Sequence, residues 1–410
     1  MKKVFYIRDS IENRISYYHL LFFLVALPFD RLYSTLILIS FIFHSVIYFD
    51  IKRMGRVDKT TLVPQLVFFV TFISAIYSPS TSKSLAVIGN QMAILLFPVL
   101  LALTTLDLAK YRSWLMEGLT MTCTLTVVYL YFDAIHAIFY YKLPLRELFS
   151  LAFVNQNFSE PLNMHPTYLS MLIVLSIVYS LSKILQKTSK TIYYLCSCLI
   201  LFVGLIQLGS KSAFFSLLII IIFGFPWFLI RQKNRIIFLL TSLFISGLLV
   251  IGMMSLQAFR NRYITTLQND LAGSKGVVNM NGRFDRWKVA VDLIKKSPIL
   301  GTGSGSEIPL LKESYFNKKM YGPYLFSLNA HNQYLSFLIT SGIVGLLIYL
   351  GTLGWGLQHS VKNKDVLLFS FIILIMIVSF SEDLLDVNKG IFFYAFFYSF
   401  FIRSESISIL

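Results

Sequence analysis

Charge is scarce in this sequence. Only 14% of its 410 residues are Asp, Glu, Lys or Arg, against about a quarter in soluble domains, so an ordinary water-soluble globular chain is excluded. Cysteine is scarcer still. Cys123, Cys196 and Cys198 all fall inside apolar runs, so neither a zinc site nor a disulfide framework follows, and the Cys-x-Cys pair reads as packing. No Asp-x-Asp pair occurs, so a metal clamp on a pyrophosphate is not indicated. Barrel-type alternation is missing, and a run such as SLLIIIIFGF is wrong for a transmembrane barrel. No small-residue cleavage site follows HLLFFLVALPFD, so the basic start MKKVFYIRDSIENR reads as leading into an uncleaved first helix.

What the chain has in quantity is apolar length. It is 56% hydrophobic and 16% aromatic, with a mean hydropathy of +0.70. Many runs approach the roughly 20 residues that cross a hydrocarbon core of about 30 Å. The expected fold is an all-α polytopic membrane protein of about twelve transmembrane helices with one large, partly helical periplasmic segment. The spans read as 17–29, 33–49, 61–79, 84–103, 113–140, 166–184, 191–209, 213–230, 236–254, 332–356, 366–380 and 390–402. The chain divides into residues 1–254 with nine spans, an outer segment 255–330, and residues 331–410 with the last three.

Charge sets the expected orientation. Short loops on the side of the termini carry 19 Lys and Arg; those opposite carry six: Arg31, Lys83, Lys142, Arg146, Lys211 and Lys389. That bias puts both termini in the cytoplasm. Much of the net charge of +16 is thereby accounted for by topology, and no nucleic-acid partner is expected. The long outer segment keeps 11 basic residues against five acids, which makes it a candidate anion site.

That segment opens SLQAFRNRYITTLQNDLAGSKGVVNMNG, polar and rich in Gly and Asn, and reads as partly helical and partly mobile. In RFDRWKVAVDLIKKSPILGTGSGS, Phe284, Trp287, Val291 and Ile294 recur at helical spacing among Arg283, Arg286, Lys288, Lys295 and Lys296. This predicts an amphipathic helix at the membrane surface, stopped at Ser297-Pro298. GTGSG lacks the strand-then-helix context of a nucleotide loop and reads as a flexible turn back to the membrane. The aromatic KESYFNKKMYGPYLFSLNA suits an interface and leads to His331, at the mouth of the tenth span.

Other outer positions carry titratable groups. Lys211 sits in a polar break in IQLGSKSAFF, where a lysine either snorkels or pairs with an anion. His165 opens the sixth span before Pro166. Glu382 and Asp383 read as solvated loop charge. His19, His44, His136 and His359 lie in spans or at cytoplasmic ends and read as packing or interface residues.

A histidine near basic side chains at an outer rim suits one chemistry. Arginine and lysine hold phosphate through charge-assisted hydrogen bonds. An imidazole, with a pKa of about 6.5, is available to take a proton. Together they suit attack by a hydroxyl on a carbon whose leaving group is a phosphate, with cations doing the work of a metal. Interfacial helices suit a donor whose lipid tail stays in the bilayer.

HNQYLSFLITSGIVGL, from His331, resembles the His-Asn-x-x-Leu…Gly-x-x-Gly-Leu signature of the O-antigen ligase and polymerase superfamily. RFDRWKVAVDLIKKSPILGTGSG resembles that family's Arg-x-x-x-aromatic…Pro-apolar-apolar-Gly-x-Gly block, and the span layout is similar. The resemblance implies a GT-C-like glycosyltransferase that joins a glycan from undecaprenyl pyrophosphate to a sugar hydroxyl of lipid A–core, with inversion and without metal, nucleotide or other cofactor. It implies His331 as base and Arg283 as pyrophosphate ligand, helped by Lys211 and Arg286. Lys211 stands where many relatives have Arg, and Asn329 where some ligases have a second His. Asn332 is implied as an orienter of the His or a sugar ligand; Asn329, His165 and Glu382 are further candidates.

A polymerase joining lipid-linked repeat units, or a ligase acting on protein hydroxyls, would share these motifs. A flippase or transporter would be expected to show paired half-sequences, broken midplane helices and buried charge, none of which the sequence displays.

Overall fold

A computed structural model describes residues 2–255, 260–265, 268 and 282–405, and every regular element among them is helical. The main helices are α1 (Ile11–Ala26), α2 (Arg31–Ile47), α3 (Lys59–Ile76), α4 (Thr81–Leu103), α5 (Leu108–Tyr140), α6 (Pro166–Leu185), α7 (Thr191–Leu208), α8 (Lys211–Phe228), α9 (Arg235–Ser255), α10 (Arg283–Ile294), α11 (Glu307–Asn317), α12 (Tyr321–Leu325), α13 (Gln333–Lys362), α14 (Val366–Val378) and α15 (Asn388–Arg403). Each of the twelve spans read from the sequence falls on one of them. Eight, α3 to α9 and α13, are long and apolar enough to cross a membrane; α2 and α14 are shorter apolar helices.

The sequence marks the helix ends. Asp30, Asp58, Asp107 and Asp365 each accept a backbone N–H from the first turn that follows, satisfying groups a helix start leaves orphaned. His165 caps α6 with Pro166 at its first position, and Gly209 ends α7 at φ 58°. The centre of the bundle is α6 and α15, buried on nearly every side. α15 packs on α4, and α6 on α7. A helix apolar and buried all round belongs in the middle of an assembly.

Side-chain contacts keep the two ends of the bundle distinct. At the end carrying the termini, Arg53 meets Glu12 at 2.5 Å, Arg112 meets Asp365 at 2.7 Å and Arg403 meets Asp58 at 3.0 Å. At the other end Lys389 donates to the carbonyls of Leu27 and Phe29, closing α1, and Thr167 donates to Glu382 at 3.3 Å. The inner histidines are packing groups with partners: His19 meets Ser40 and His44 meets Ser16, each at 2.9 Å, and His359 meets Glu405 at 2.7 Å.

Three readings change. The amphipathic helix exists as α10, but it buries Arg286, Val289, Ala290 and Leu293 against α11 and α13, leaving Phe284 and Val291 outward. The packed face is the one carrying an arginine, because the chain itself supplies that arginine's acceptor. GTGSG is an ordered strap rather than a flexible turn. It runs between α3, α4 and a break in α13, where Gly342 has φ 63°. Thr302 and Gly303 donate to the carbonyls of Ile339 and Thr340 at 2.8 Å, Ile343 donates to Pro298 at 2.9 Å, and Ser304 donates to Ser74 at 3.2 Å. A Cβ on Gly342 would lie 2.2 Å from the Ile299 carbonyl oxygen, and one on Gly301 2.5 Å from the Ser341 nitrogen, so each backbone can pass only because the other lacks a side chain. The chain therefore does contain a broken helix, and buried acids besides; its own strap fills the break. The reading of the Gly- and Asn-rich opening of the outer segment falls mostly outside the described residues.

Candidate functional site

The site is built on four residues, Asn329 to Asn332, between α12 and α13. Their backbone is held from several directions. Arg286 Nη1 donates to the Asn329 carbonyl and Trp287 Nε1 to the Ala330 carbonyl, each at 2.9 Å. Glu307 Oε1 accepts the Ala330 N–H at 3.1 Å. Asp383 accepts the His331 N–H at 3.1 Å through one oxygen and the Asn332 N–H at 2.7 Å through the other. His331 adopts φ 49°, a left-handed conformation that side-chain-bearing residues keep only when surroundings enforce it. Asn332 caps α13, accepting from Tyr334 at 3.0 Å and Leu335 at 3.2 Å. So α10, α11, the loop before α15 and the start of α13 jointly fix where His331 sits.

The ring of His331 is partly open, its side chain 33% exposed, and Nδ1 lies 3.5 Å from Glu382 Oε2. Burial alone would raise the Glu382 carboxyl, but the His331 hydrogen bond and the charges of His165, His331 and Arg283 outweigh it and hold the group below the usual carboxylate range. Three sequence candidates, His331, His165 and Arg283, thus converge on a fourth. His165 also turns Nδ1 toward the Thr167 N–H at 3.4 Å.

The remaining candidates are placed differently. Arg286, only 6% exposed, is a strut under the Asn329 carbonyl rather than an open cation. Asn329 accepts the His331 N–H through its side chain at 3.3 Å. Lys211 starts α8, brought to the same end as His165 by the two reversals bounding α7. Glu382 and Asp383 are not solvated loop charges: Glu382 is largely covered and Asp383 is 2% exposed, because Asp383 is consumed in holding backbone.

The sequence missed an acidic group behind the loop. Glu307, Asp383 and Asp386 bring carboxylate oxygens within 4.8 Å of one another. Burial raises the Glu307 carboxyl. Burial together with the charges of its acidic neighbours pushes Asp383 well above the usual range, and Asp386, exposed as a residue but with its carboxyl turned inward, rises to about 7 through burial of that group and the Glu307 charge. Oxygen atoms so disposed could hold a hard cation. Asp383-x-x-Asp386 was the visible part of this group, but nothing near Glu307 in the sequence links it to them.

A Haemophilus influenzae protein described as an uncharacterized protein is 23% identical over 395 residues, covering 91% of this chain and 94% of its own. The family model described as O-Antigen ligase matches residues 196–350. That stretch holds most of α7, all of α8 and α9, Arg283, the strap, His331 and the break at Gly342. Over that stretch the chain, a multi-pass membrane protein by its apolar helices, is similar to the O-antigen ligase family.

Proposed function

We propose that the protein transfers a glycan from undecaprenyl pyrophosphate to a sugar hydroxyl of lipid A–core, at the periplasmic face of a bacterial inner membrane, with both termini in the cytoplasm. The observation that carries this reading is the fixed His331 ring, with Nδ1 against Glu382 and Nε2 left to take a proton. The acceptor hydroxyl loses its proton to Nε2 as its oxygen attacks the anomeric carbon. The pyrophosphate leaves from the opposite face, which inverts the centre. Arg283, at the start of α10, stabilises charge on the departing phosphate, and Lys211 adds a second positive charge at the same end. Glu382 orients the imidazole and stabilises it once protonated.

The test is reconstitution. Purified protein given undecaprenyl-pyrophosphate glycan is offered lipid A–core or a second lipid-linked unit. Transfer to lipid A–core is expected; product formed only with the second unit makes the protein a polymerase. His331→Ala is expected to lose transfer by at least about 100-fold while still inserting in the membrane. Normal turnover by that variant refutes the general-base role.

A further inference from the structure

Of the three acids behind the His331 loop, Glu307 and Asp386 share their cavity with one basic side chain, Lys83, which pairs with none of the three. Among the described residues none of Glu307, Asp383 and Asp386 forms an ion pair with Lys or Arg. Two neutral oxygens beside them are also orphaned. Gln91, 3% exposed, donates through Nε2 to the Leu385 carbonyl at 3.1 Å, and its Oε1 has no partner. Ser304, 2% exposed, has an unpartnered Oγ. Gln91 and Ser304 line, with Glu307, Asp386 and Lys83, a half-open cavity of about 250 Å³ between α3, α4, α11 and α13.

Buried acceptors without donors are costly, and here they gather around three carboxyl groups. The donor set is all oxygen, with no thiol and with the nearest imidazole turned to Glu382, which selects a hard cation. The oxygens come from α4, α11, the strap and the loop before α15, and several already accept backbone N–H groups. So irregular an arrangement suits Ca²⁺, which takes six to eight oxygens flexibly, better than Mg²⁺, which demands a near-ideal octahedron. The cavity has room for the waters that would complete the shell.

We propose that Glu307, Asp383, Asp386 and Gln91 form a Ca²⁺ site that braces the His331 loop from behind. Glu307 and Asp383 hold the N–H groups of Ala330, His331 and Asn332, so a cation fixing those carboxylates fixes the loop. The ion is structural and takes no part in bond making.

Full-length protein in detergent, freed of divalent cations with chelator, is titrated with CaCl₂ and separately with MgCl₂ by calorimetry, and thermal unfolding is followed in parallel. One saturable Ca²⁺ site per chain is expected, tighter than for Mg²⁺, with a rise in Tm on loading. Asp386→Asn is the test variant, because the Asp386 carboxylate accepts no hydrogen bond among the described residues. It is expected to weaken Ca²⁺ binding at least about tenfold and to flatten the Tm response. Three results overturn the proposal: no saturable Ca²⁺ binding by the unsubstituted protein, equal affinity in Asp386→Asn, or a Tm that rises in Asp386→Asn without cation while neither protein responds to Ca²⁺. The last result identifies a cluster that only shares protons. None of these readouts depends on glycan transfer, so the cation site and the proposed reaction stand or fall separately.

Discussion

Asp383 grips His331 by its backbone, not by its ring. One carboxylate oxygen takes the His331 N–H and the other takes that of Asn332, so a single side chain sets both the left-handed turn and the first residue before α13. The imidazole is left free to face Glu382.

Replacing Asp383 tests that grip. Asp383→Ala strands two backbone N–H groups in a covered site, at a cost of about 1–3 kcal/mol each. Asp383→Asn keeps one acceptor and is expected to fall between it and the unsubstituted protein. Thermal unfolding should rank the three in that order. Equal melting of Asp383→Ala and the unsubstituted protein would remove the clamp from the account.

In the proposed reaction Glu382 acts through His331, as a positioning residue. Glu382→Gln is expected to lower kcat at least about tenfold, with the donor KM little changed. Glu382→Asp should recover part of the loss. A change confined to KM would instead assign the carboxylate to substrate binding.

Arg283 and Arg286 lie one helical turn apart and should fail in different ways. Arg283→Ala is expected to cripple donor use without lowering Tm. Arg286→Ala removes a buried strut from the Asn329 carbonyl and is expected to cost roughly 1–3 kcal/mol of stability. Steady-state kinetics and melting on both variants separate the roles, and matching behaviour would refute the distinction.

The crossing of strap and helix predicts a sharp contrast among glycines of α13. Gly342→Ala meets the Ile299 carbonyl and an unfavourable φ, so little folded protein should survive detergent extraction. Gly351 has nothing within 4 Å, and Gly351→Ala is expected to be neutral or to gain up to about 1 kcal/mol from helix propensity. Size-exclusion profiles and melts of the two proteins decide the matter.

Much of the fold was legible because apolar run length is a local property, and α1 to α9 lie where the runs do. His331 was legible as a polar residue at the lip of such a run, and α10 as a periodic stretch. Its buried face was not, since Arg286 looks like surface charge until the Asn329 carbonyl is seen above it. Nor were the acids. Asp383 read as loop charge and Glu307 carried no signal, and only folding brings both to the backbone of one four-residue loop. GTGSG looked pliant because glycine usually signals freedom; here positive φ and close approach fix it, and its counterpart Gly342 lies within what reads as uninterrupted helix.

Breaking a helix frees peptide groups that lipid cannot satisfy, and here residues 298–304 supply partners for those on both sides of Gly342. The two pieces are therefore one joint. Chimeras that exchange the outer segment between relatives to redirect acceptor choice will need to transplant residues 298–304 together with 339–344, or leave both untouched. A boundary drawn between them would pair mismatched halves, and the failure would be one of assembly rather than of specificity.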